Sequence, residues 1–332
     1  MANRRARLCL AALLPLVAGA CGGGGETPTA AAGAGPVTVK DCAGKDVTFA
    51  QVPERVVTLD GYAAQTLVRL GVADKIIGTG YPAPFAVDRS PYKERLAGIP
   101  VLAERVPVTE VVAAQRPDLV LTAFSAFGGP PGSPKDADLA TMSAKGLAAC
   151  LPSGPMLTDL APTYDYVRKL GAVFRVPDRA ERLIGELRAR ERAVAAKARP
   201  GDAPRVLVLQ DDPVAGQPIK TSGSGTIAHA LIVMAGGRSV FTDVSSMHAD
   251  ISPEQVVQRD PQVLWLISDY PFAKAKGQEL ADRVRKNPLL AGTSAVEHGR
   301  VVSTSQYLVS FPSPLNLDGL EQLATDMHAG GT

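Results

Sequence analysis

Apolar positions fall along the chain in two rhythms. VTFAQVP (47–53), RVVTL (55–59), KIIGTG (75–80) and Leu119–Thr122 are short, nearly unbroken apolar runs, whereas DGYAAQTLVRLGVA (60–73) and DRAERLIGELRARERAVAAKA (178–198) space their apolar residues at three and four. The first rhythm fits strands covered on both faces, as in parallel sheets, and the second fits helices with one buried stripe. Gly71 reads as a helix stop and Pro177-Asp178 as a helix start, with Ala180, Leu183, Ile184 and Leu187 on one face of the helix so opened. About 21 helical residues there would reach roughly 30 Å. The pattern also predicts a loop through the Pro/Tyr-rich segment to about residue 98, a helix from Ala137 to Lys145 and a strand from Leu147 to Leu151. No strand signal appears from Pro162 to Arg199, and beyond it lies a second alternating series: RVLVLQ (205–210), GSGTIAHALIVMAGG (223–237), RVVST (300–304) and a helix from about Asn316 onward.

One unit occurs twice. VTEVVAAQRPDLVL (108–121) and ISPEQVVQRDPQVLWL (251–266) each place a glutamate, Glu110 or Glu254, at a helix entry, end the helix at a proline, Pro117 or Pro261, and continue as a buried strand, which in the second copy carries Trp265. Two copies so far apart predict two related lobes rather than a solenoid. The fold class expected is therefore α/β, with two lobes of mostly parallel sheet joined by a single long helix. The divisions expected are residues 1–20 (export signal), 21–37 (tether), 38–160 (first lobe), 161–199 (helical connection) and 200–332 (second lobe).

Composition changes this picture at the N-terminus. Arg4, Arg5 and Arg7 precede LCLAALLPLVAGA, an apolar stretch too short to span a bilayer. The small residues before Cys21 and the GGGGETPTAAAGAG after it resemble a bacterial lipobox followed by a flexible tether, although Ala18 stands where leucine is favoured. That resemblance implies acylation of Cys21 and a body held outside the cytoplasmic membrane; a plain cleaved signal with Cys21 incidental is the alternative, and the paired arginines leave twin-arginine export open. With Cys9 in the signal and Cys21 acylated, Cys42 and Cys150 remain as an even pair in an oxidising compartment, and a disulfide is expected. Closing so long a loop constrains the unfolded chain by roughly 4 to 5 kcal/mol in the chain-entropy picture. Two buried free thiols would be the other reading. Over the whole chain 35 basic and 33 acidic residues are interspersed, giving a formal net charge of +2 and no polyanion-binding stretch, so no nucleic-acid partner is expected.

The stretches PERVVTLDGYAAQTLVRLGVADKIIGTG (53–80), VTEVVAAQRPDLVL, the long helix, AGGRSVFTDVSSMHADISPEQVVQRDPQVLWL (235–266) and NPLLAGTSAVEHGRVV (287–302), in that order, resemble substrate-binding lipoproteins of ABC importers that carry ferric siderophores, haem, cobalamin and related bulky ligands. The resemblance covers nearly everything from about residue 40 to 325. It implies a class III periplasmic-binding-protein-like fold, a monomer, and partnership with a permease and its ATPase. In that class an acidic residue on each lobe docks onto permease arginines, and the matching positions are Glu110 and Glu254; each also sits where it complements a helix dipole.

By position in the family pattern the ligand would meet Tyr62, Tyr81, Phe85, Phe124 and Phe127 from the first lobe. From the second it would meet Lys220, His248, Tyr270, Phe272, Tyr307 and Phe311. Each aromatic has an ordinary alternative, anchoring a loop over the core. The late segment SFPSPLNLDG lacks the arginine that many siderophore binders carry there, which argues against a strongly anionic ligand. His248 stands where relatives often have tryptophan, and with Tyr81 or Tyr62 opposite it could serve haem as an axial ligand. No resident cofactor or metal is expected, although the ligand itself could contain Fe(III), haem or cobalt.

Other classes fare less well. No phosphate-binding glycine loop, HExxH or GxSxG is present, and SGSGT (222–226) lacks the frame of a nucleophile elbow. Four histidines scattered at 229, 248, 298 and 328 support neither a hydrolase triad nor a metal-ion carrier, so no enzyme activity is expected. A surface lipoprotein without transport function would need an exposed partner surface in place of an enclosed aromatic cleft.

Overall fold

The computed structural model describes residues 35–89, 91–151, 156–197, 203–270 and 273–328. The export signal, Cys21, most of the tether and Phe272 lie outside them.

The described residues open with an antiparallel hairpin, β1 (Val37–Lys40) and β2 (Asp46–Phe49). The first lobe then alternates β3 (Val56–Thr58), α1 (Gly61–Arg69), β4 (Ile76–Gly80), α2 (Tyr92–Ala97), β5 (Val101–Ala103), α3 (Thr109–Ala114), β6 (Leu119–Thr122), α4 (Asp136–Thr141) and β7 (Lys145–Ala148). Its sheet is wholly parallel in the order β5-β4-β3-β6-β7. Two helices come next, α5 (Ala161–Val173) and α6 (Pro177–Ala195). The second lobe comprises β8 (Arg205–Leu209), β9 (Ile219–Thr221), α7 (Ile227–Met234), β10 (Arg238–Ser239), β11 (Ala249–Ile251), α8 (Pro253–Arg259), β12 (Val263–Ser268), α9 (Gly277–Arg285), α10 (Ser294–Glu297), β13 (Val301–Ser305), α11 (Gln306–Val309) and α12 (Asn316–His328). Its parallel sheet runs β10-β8-β12-β13, with β9 and β11 as a separate antiparallel pair.

Two-residue periodicity sorts each strand between two cores. Val263, Trp265 and Ile267 of β12, with Val206 and Val208 of β8, join Leu119 and Leu121 of β6 in one core that passes through α1, α5, α6, α7 and α12. Leu264, Leu266, Leu207 and Leu209 turn the other way into a second-lobe core, and Val57 and Val120 turn into a first-lobe core. Both faces are thus covered, which is why these strands read as unbroken apolar runs. The single tryptophan, Trp265, is fully buried, and its indole N–H donates to Thr304 Oγ1 at 3.0 Å.

Helix α6 binds both lobes. Near its start Arg179 donates to the carbonyls of Leu70 and Gly71 in the first, and further along Arg190 pairs with Asp318 and Glu321 of α12 in the second. The expected disulfide is formed: Cys42, in the turn after β1, is bonded to Cys150, just past β7, with their Cα atoms 5.0 Å apart.

The two copies of the repeated unit are α3–β6 and α8–β12, and the latch that ends each helix is the same. Arg55, just ahead of β3, donates from Nε to the Arg116 carbonyl at 3.0 Å, and its amide donates to the Asp118 side chain at 3.1 Å. Arg205, at the start of β8, donates from Nε to the Asp260 carbonyl at 2.7 Å, and its amide donates to the Gln262 side chain at 3.0 Å. Arg116 and Asp260 both take left-handed backbone, with φ of 49° and 42°, and the following proline prevents the helix from continuing.

Local expectations differ from the structure most at two places, and the strands expected over 47–53 and 147–151 end earlier, at Phe49 and Ala148. The segment before residue 98 contains a short 3₁₀ turn (Ala83–Val87) and α2 rather than unbroken loop. The helix expected over 137–145 ends at Thr141, because pairing of Leu119 with Lys145 draws Lys145 and Gly146 into β7.

Candidate functional site

In parallel sheets the strand ends at the carboxyl side leave a crevice where neighbouring connections diverge. Here the carboxyl ends of both sheets contribute to one cleft of about 580 Å³. The first lobe supplies Tyr81 after β4, Arg105 and Val106 after β5, and Phe124, Pro130 and Pro131 after β6. The second supplies Gln210 after β8, Ser222 after β9, Thr226 and Ala228 at the start of α7, Met247 and His248 before β11, Ile267 and Tyr270 at the end of β12, and Gln306, Val309, Ser310 and Phe311 around α11. A volume of this size suits a substantial small molecule.

The aromatic wall is built on a buried carboxyl. Asp60 caps α1 by accepting from the Ala63 amide at 3.0 Å, and its second oxygen accepts from Thr122 Oγ1 at 2.7 Å and the Ala123 amide at 3.0 Å. It thereby fastens the end of β6, which carries Phe124, to the end of β3. Burial raises its pKa, with these hydrogen bonds pulling the other way. The same cap turns Tyr62 inward: it is fully buried, with its ring 5.4 Å from that of Phe311 and 6.5 Å from that of Tyr81. Phe311 in turn stands 4.6 Å from Phe124, joining the lobes through aromatic contact. Tyr81 has φ of 39°, and its ring lies 6.3 Å from Tyr307. Burial lifts the pKa values of Tyr81, Tyr270 and Tyr307, so these phenols remain neutral.

The opposite end is polar. Gln210 Nε2 donates to Ser222 Oγ at 3.2 Å and lies 3.3 Å from His248 Nδ1. A strap of residues 242–248 carries Met247 and His248, and it is held by Arg259, whose guanidinium grips Asp243 through both carboxylate oxygens and reaches the Val240 carbonyl at 2.7 Å. The strap passes so close to Gly223 that a Cβ there would lie 1.9 Å from the Ser246 carbonyl oxygen, and only glycine fits.

Of the residues singled out in the sequence, Tyr81, Phe124, His248, Tyr270 and Phe311 meet in the cleft, and Tyr307 abuts it through Tyr81. Tyr62 does not reach the cleft surface, being beneath the wall. Phe85 packs over Gly61, and Phe127 covers Gly146 beside Leu139. Lys220 is exposed and paired with Asp250 at 3.0 Å across β9 and β11, off the cleft wall. Sequence reading missed Arg105, Gln210, Ser222 and Gln306. Their shared signal is position just past a strand's carboxyl end. Among the described lining residues Arg105 is the one formally charged side chain, so the cleft holds a cation that the late segment's lack of arginine does not reveal.

Glu110 and Glu254 are both exposed in the first turn of α3 and α8. A crossover helix runs opposite to the parallel strand it feeds, so both helix starts stand on the side where the cleft opens. Hydrogen bonding by Ser252, then by its own amide, lowers the pKa of Glu254. Among the described residues no helix is long and apolar enough to cross a membrane, and no group of three or more His, Cys, Asp or Glu converges.

A sequence profile described as periplasmic binding protein matches residues 56–308. The chain is 25% identical over 297 residues to a cobalamin-binding protein of Halobacterium salinarum, covering 88% of this chain and 74% of that one. It is 22% identical over 298 residues to an uncharacterized ABC transporter substrate-binding lipoprotein of Bacillus subtilis, covering 88% and 86%. Among solved structures, an ABC-type Fe3+-hydroxamate transport system protein from Saccharomonospora viridis superposes with a TM-score of 0.72 at 28% identity, covering 88% of this chain and 99% of that one.

Proposed function

The chain belongs to the periplasmic binding protein family, and from that premise we propose that it is the extracytoplasmic, lipid-anchored substrate-binding component of an ABC importer for a bulky metal chelate of cobalamin or ferric-hydroxamate type. The observation that carries this reading is the cleft itself, with aromatic rings from both lobes at one end, Gln210 and Ser222 at the other and, among the described lining residues, one formal cation, Arg105. Such a lining suits a large, largely uncharged ligand with amide or hydroxamate oxygens, held by stacking and a few hydrogen bonds. The named relatives among cobalamin and hydroxamate carriers support the same class. The mechanism is capture and delivery, without bond chemistry.

Glu110 and Glu254 serve as the two docking points for permease arginines. Their support is exposure, matched position in the repeat and the side of the molecule on which they stand. Lipidation at Cys21 is supported by the lipobox-like sequence and by the lipoprotein relative; the tether then keeps the loaded protein near its permease at raised effective concentration.

Haem is the second reading, because His248 and Tyr81 both face the cleft. Burial raises the Tyr81 pKa, which makes the phenolate that iron would need costlier to form than at an ordinary tyrosine and favours the first reading.

Calorimetric titration of the purified protein with cyanocobalamin, ferrioxamine B and haem tests the choice. Trp265, deep in the core, is a poor reporter. Binding of cyanocobalamin or ferrioxamine B with a Kd of roughly micromolar or tighter is expected. Haem binding with a Soret shift abolished by His248→Ala would replace this reading with the second one, and silence toward all three would overturn both.

A further inference from the structure

We propose that the Cys42–Cys150 disulfide is a directional site of thiol–disulfide exchange: a small-molecule thiolate attacks the Cys42 sulfur, and Cys150 departs as a thiolate held by the Lys169 ammonium. Three observations carry this. The two cysteines differ in exposure, Cys42 being exposed in a turn and Cys150 half-buried at the end of β7. They differ in electrostatics as well, because Lys169 of α5 places Nζ 3.4 Å from the Cys150 sulfur. The bridge also borders a hollow of about 470 Å³ lined by Lys40, Asp41, Asp165, Tyr166 and Lys169, which is room for a small reagent.

Exchange proceeds in line with the sulfur–sulfur bond, so access and the leaving group decide its direction. Attack on Cys42 comes from solvent. The hollow borders Cys150 as well as Cys42, so there the leaving group decides between them. A neighbouring ammonium stabilises a thiolate, and a better-stabilised thiolate leaves faster. Lys40 is paired with Asp46 at 2.7 Å, and among the described residues Lys169 is the cation in contact with the bridge. Burial lowers the Lys169 pKa, with Asp41 and Asp165 opposing, so this ammonium is poorly solvated and gains from an adjacent anion.

The step balances without a further oxidant. The protein S–S bond breaks, a new S–S bond joins the small thiol to Cys42, and the electron pair stays on Cys150, which takes a proton from solvent when Lys169 does not hold it as an anion. In the product the β1–β2 hairpin is no longer tied to the end of β7 by the bridge. Cys150 is also released from a tether in left-handed backbone, φ 54°, a conformation that L-residues seldom keep unassisted.

The test treats the purified protein with mercaptoethanol, quenches with acid, labels free thiols with N-ethylmaleimide and maps both modifications by mass spectrometry. The expected result is mercaptoethanol on Cys42 and maleimide on Cys150, with Lys169→Met slowing exchange about threefold to tenfold and Lys169→Arg restoring it. Mercaptoethanol on Cys150, or an even split, would overturn the direction on the unaltered protein, whatever the variants do. An unchanged rate in a folded Lys169→Met variant would remove Lys169 from the step. Ligand binding plays no part in this readout, so failure here leaves the transport reading untouched.

Discussion

The two copies of the proline-ended helix share one latch and differ in how much hangs on it. In the first copy the left-handed residue is Arg116, whose side chain is exposed, and the work is done by Arg55 reaching the carbonyls of Gln115 and Arg116. In the second copy the left-handed residue is Asp260, whose carboxylate also takes a charge-assisted bond from Arg205 Nη2 at 2.7 Å and two bonds at 2.7 Å from the Ser294 amide and hydroxyl. The helix starts differ too. Ser252 and Gln255 form a reciprocal capping box on α8, whereas α3 has no side-chain cap and leans on the cleft loop through Thr109 donating to the Gly132 carbonyl. A repeated element is thus defined by its backbone turn, and each copy recruits its own side chains to fix it. What stays constant across both is an exposed glutamate in the first turn of the helix.

That constancy makes the strongest prediction. If both copies face a permease, reversing the charge in a Glu110→Arg, Glu254→Arg double variant lowers ligand uptake more than about tenfold while leaving ligand affinity in solution unchanged, because docking charges govern recognition between partners. Transport and calorimetry measured side by side decide it. Equal loss of affinity and uptake would make the glutamates structural. One reversal abolishing uptake while the other does nothing would break the symmetry.

The difference makes the next. Glycine at a left-handed position relieves backbone crowding but loosens the unfolded chain. At Arg116 only that balance is at stake, so Arg116→Gly should leave stability within about 0.5 kcal/mol of the parent or raise it slightly. At Asp260 glycine also removes three or more bonds at a partly exposed site, and Asp260→Gly should cost about 1 to 2 kcal/mol, a few degrees in Tm by calorimetry. Matching effects at the two sites would show that the carboxylate of Asp260 adds nothing to the latch.

How far this was readable in the sequence depends on what fixed each element. Strands β3, β6, β8 and β12 and helices α1, α6 and α12 follow from periodicity, since both sheet faces or one helix stripe must be covered. The Cys42–Cys150 pair followed from counting cysteines in an oxidising compartment. Lys145 went to β7 instead of a helix because pairing with Leu119, far away in sequence, overrides local preference. Tyr62 and Tyr81 look alike as loop-side tyrosines, yet the Asp60 cap rotates one into the core and the left-handed turn presents the other to the cleft. Arg105 and Gln210 carry no periodic signal at all. Nor does Arg205, although its counterpart Arg55 stands before an equivalent strand, and only the hydrogen bonds to equivalent helix ends reveal the pair.

The smallest effect is the pH dependence of the second latch. Hydrogen bonds from the Ser294 amide and hydroxyl, together with Arg205, hold the Asp260 carboxyl below its ordinary value, and Arg259 holds that of Asp243 down to about 2. A depressed carboxyl contributes stability that is fully present above its unfolded-state pKa and is lost as the pH falls through the folded value. Wild type should therefore lose its advantage over Asp260→Asn as the pH drops from about 6 toward 3, with the two Tm curves converging. Solvent reaches 39% of the Asp260 side chain and 60% of the Asp243 side chain, so screening keeps the pH-dependent part at each site below about 1 kcal/mol. Curves that stay parallel through this range would assign the stability of the latch to the Arg205–carbonyl bond, which does not titrate, and would make the second copy energetically the same device as the first.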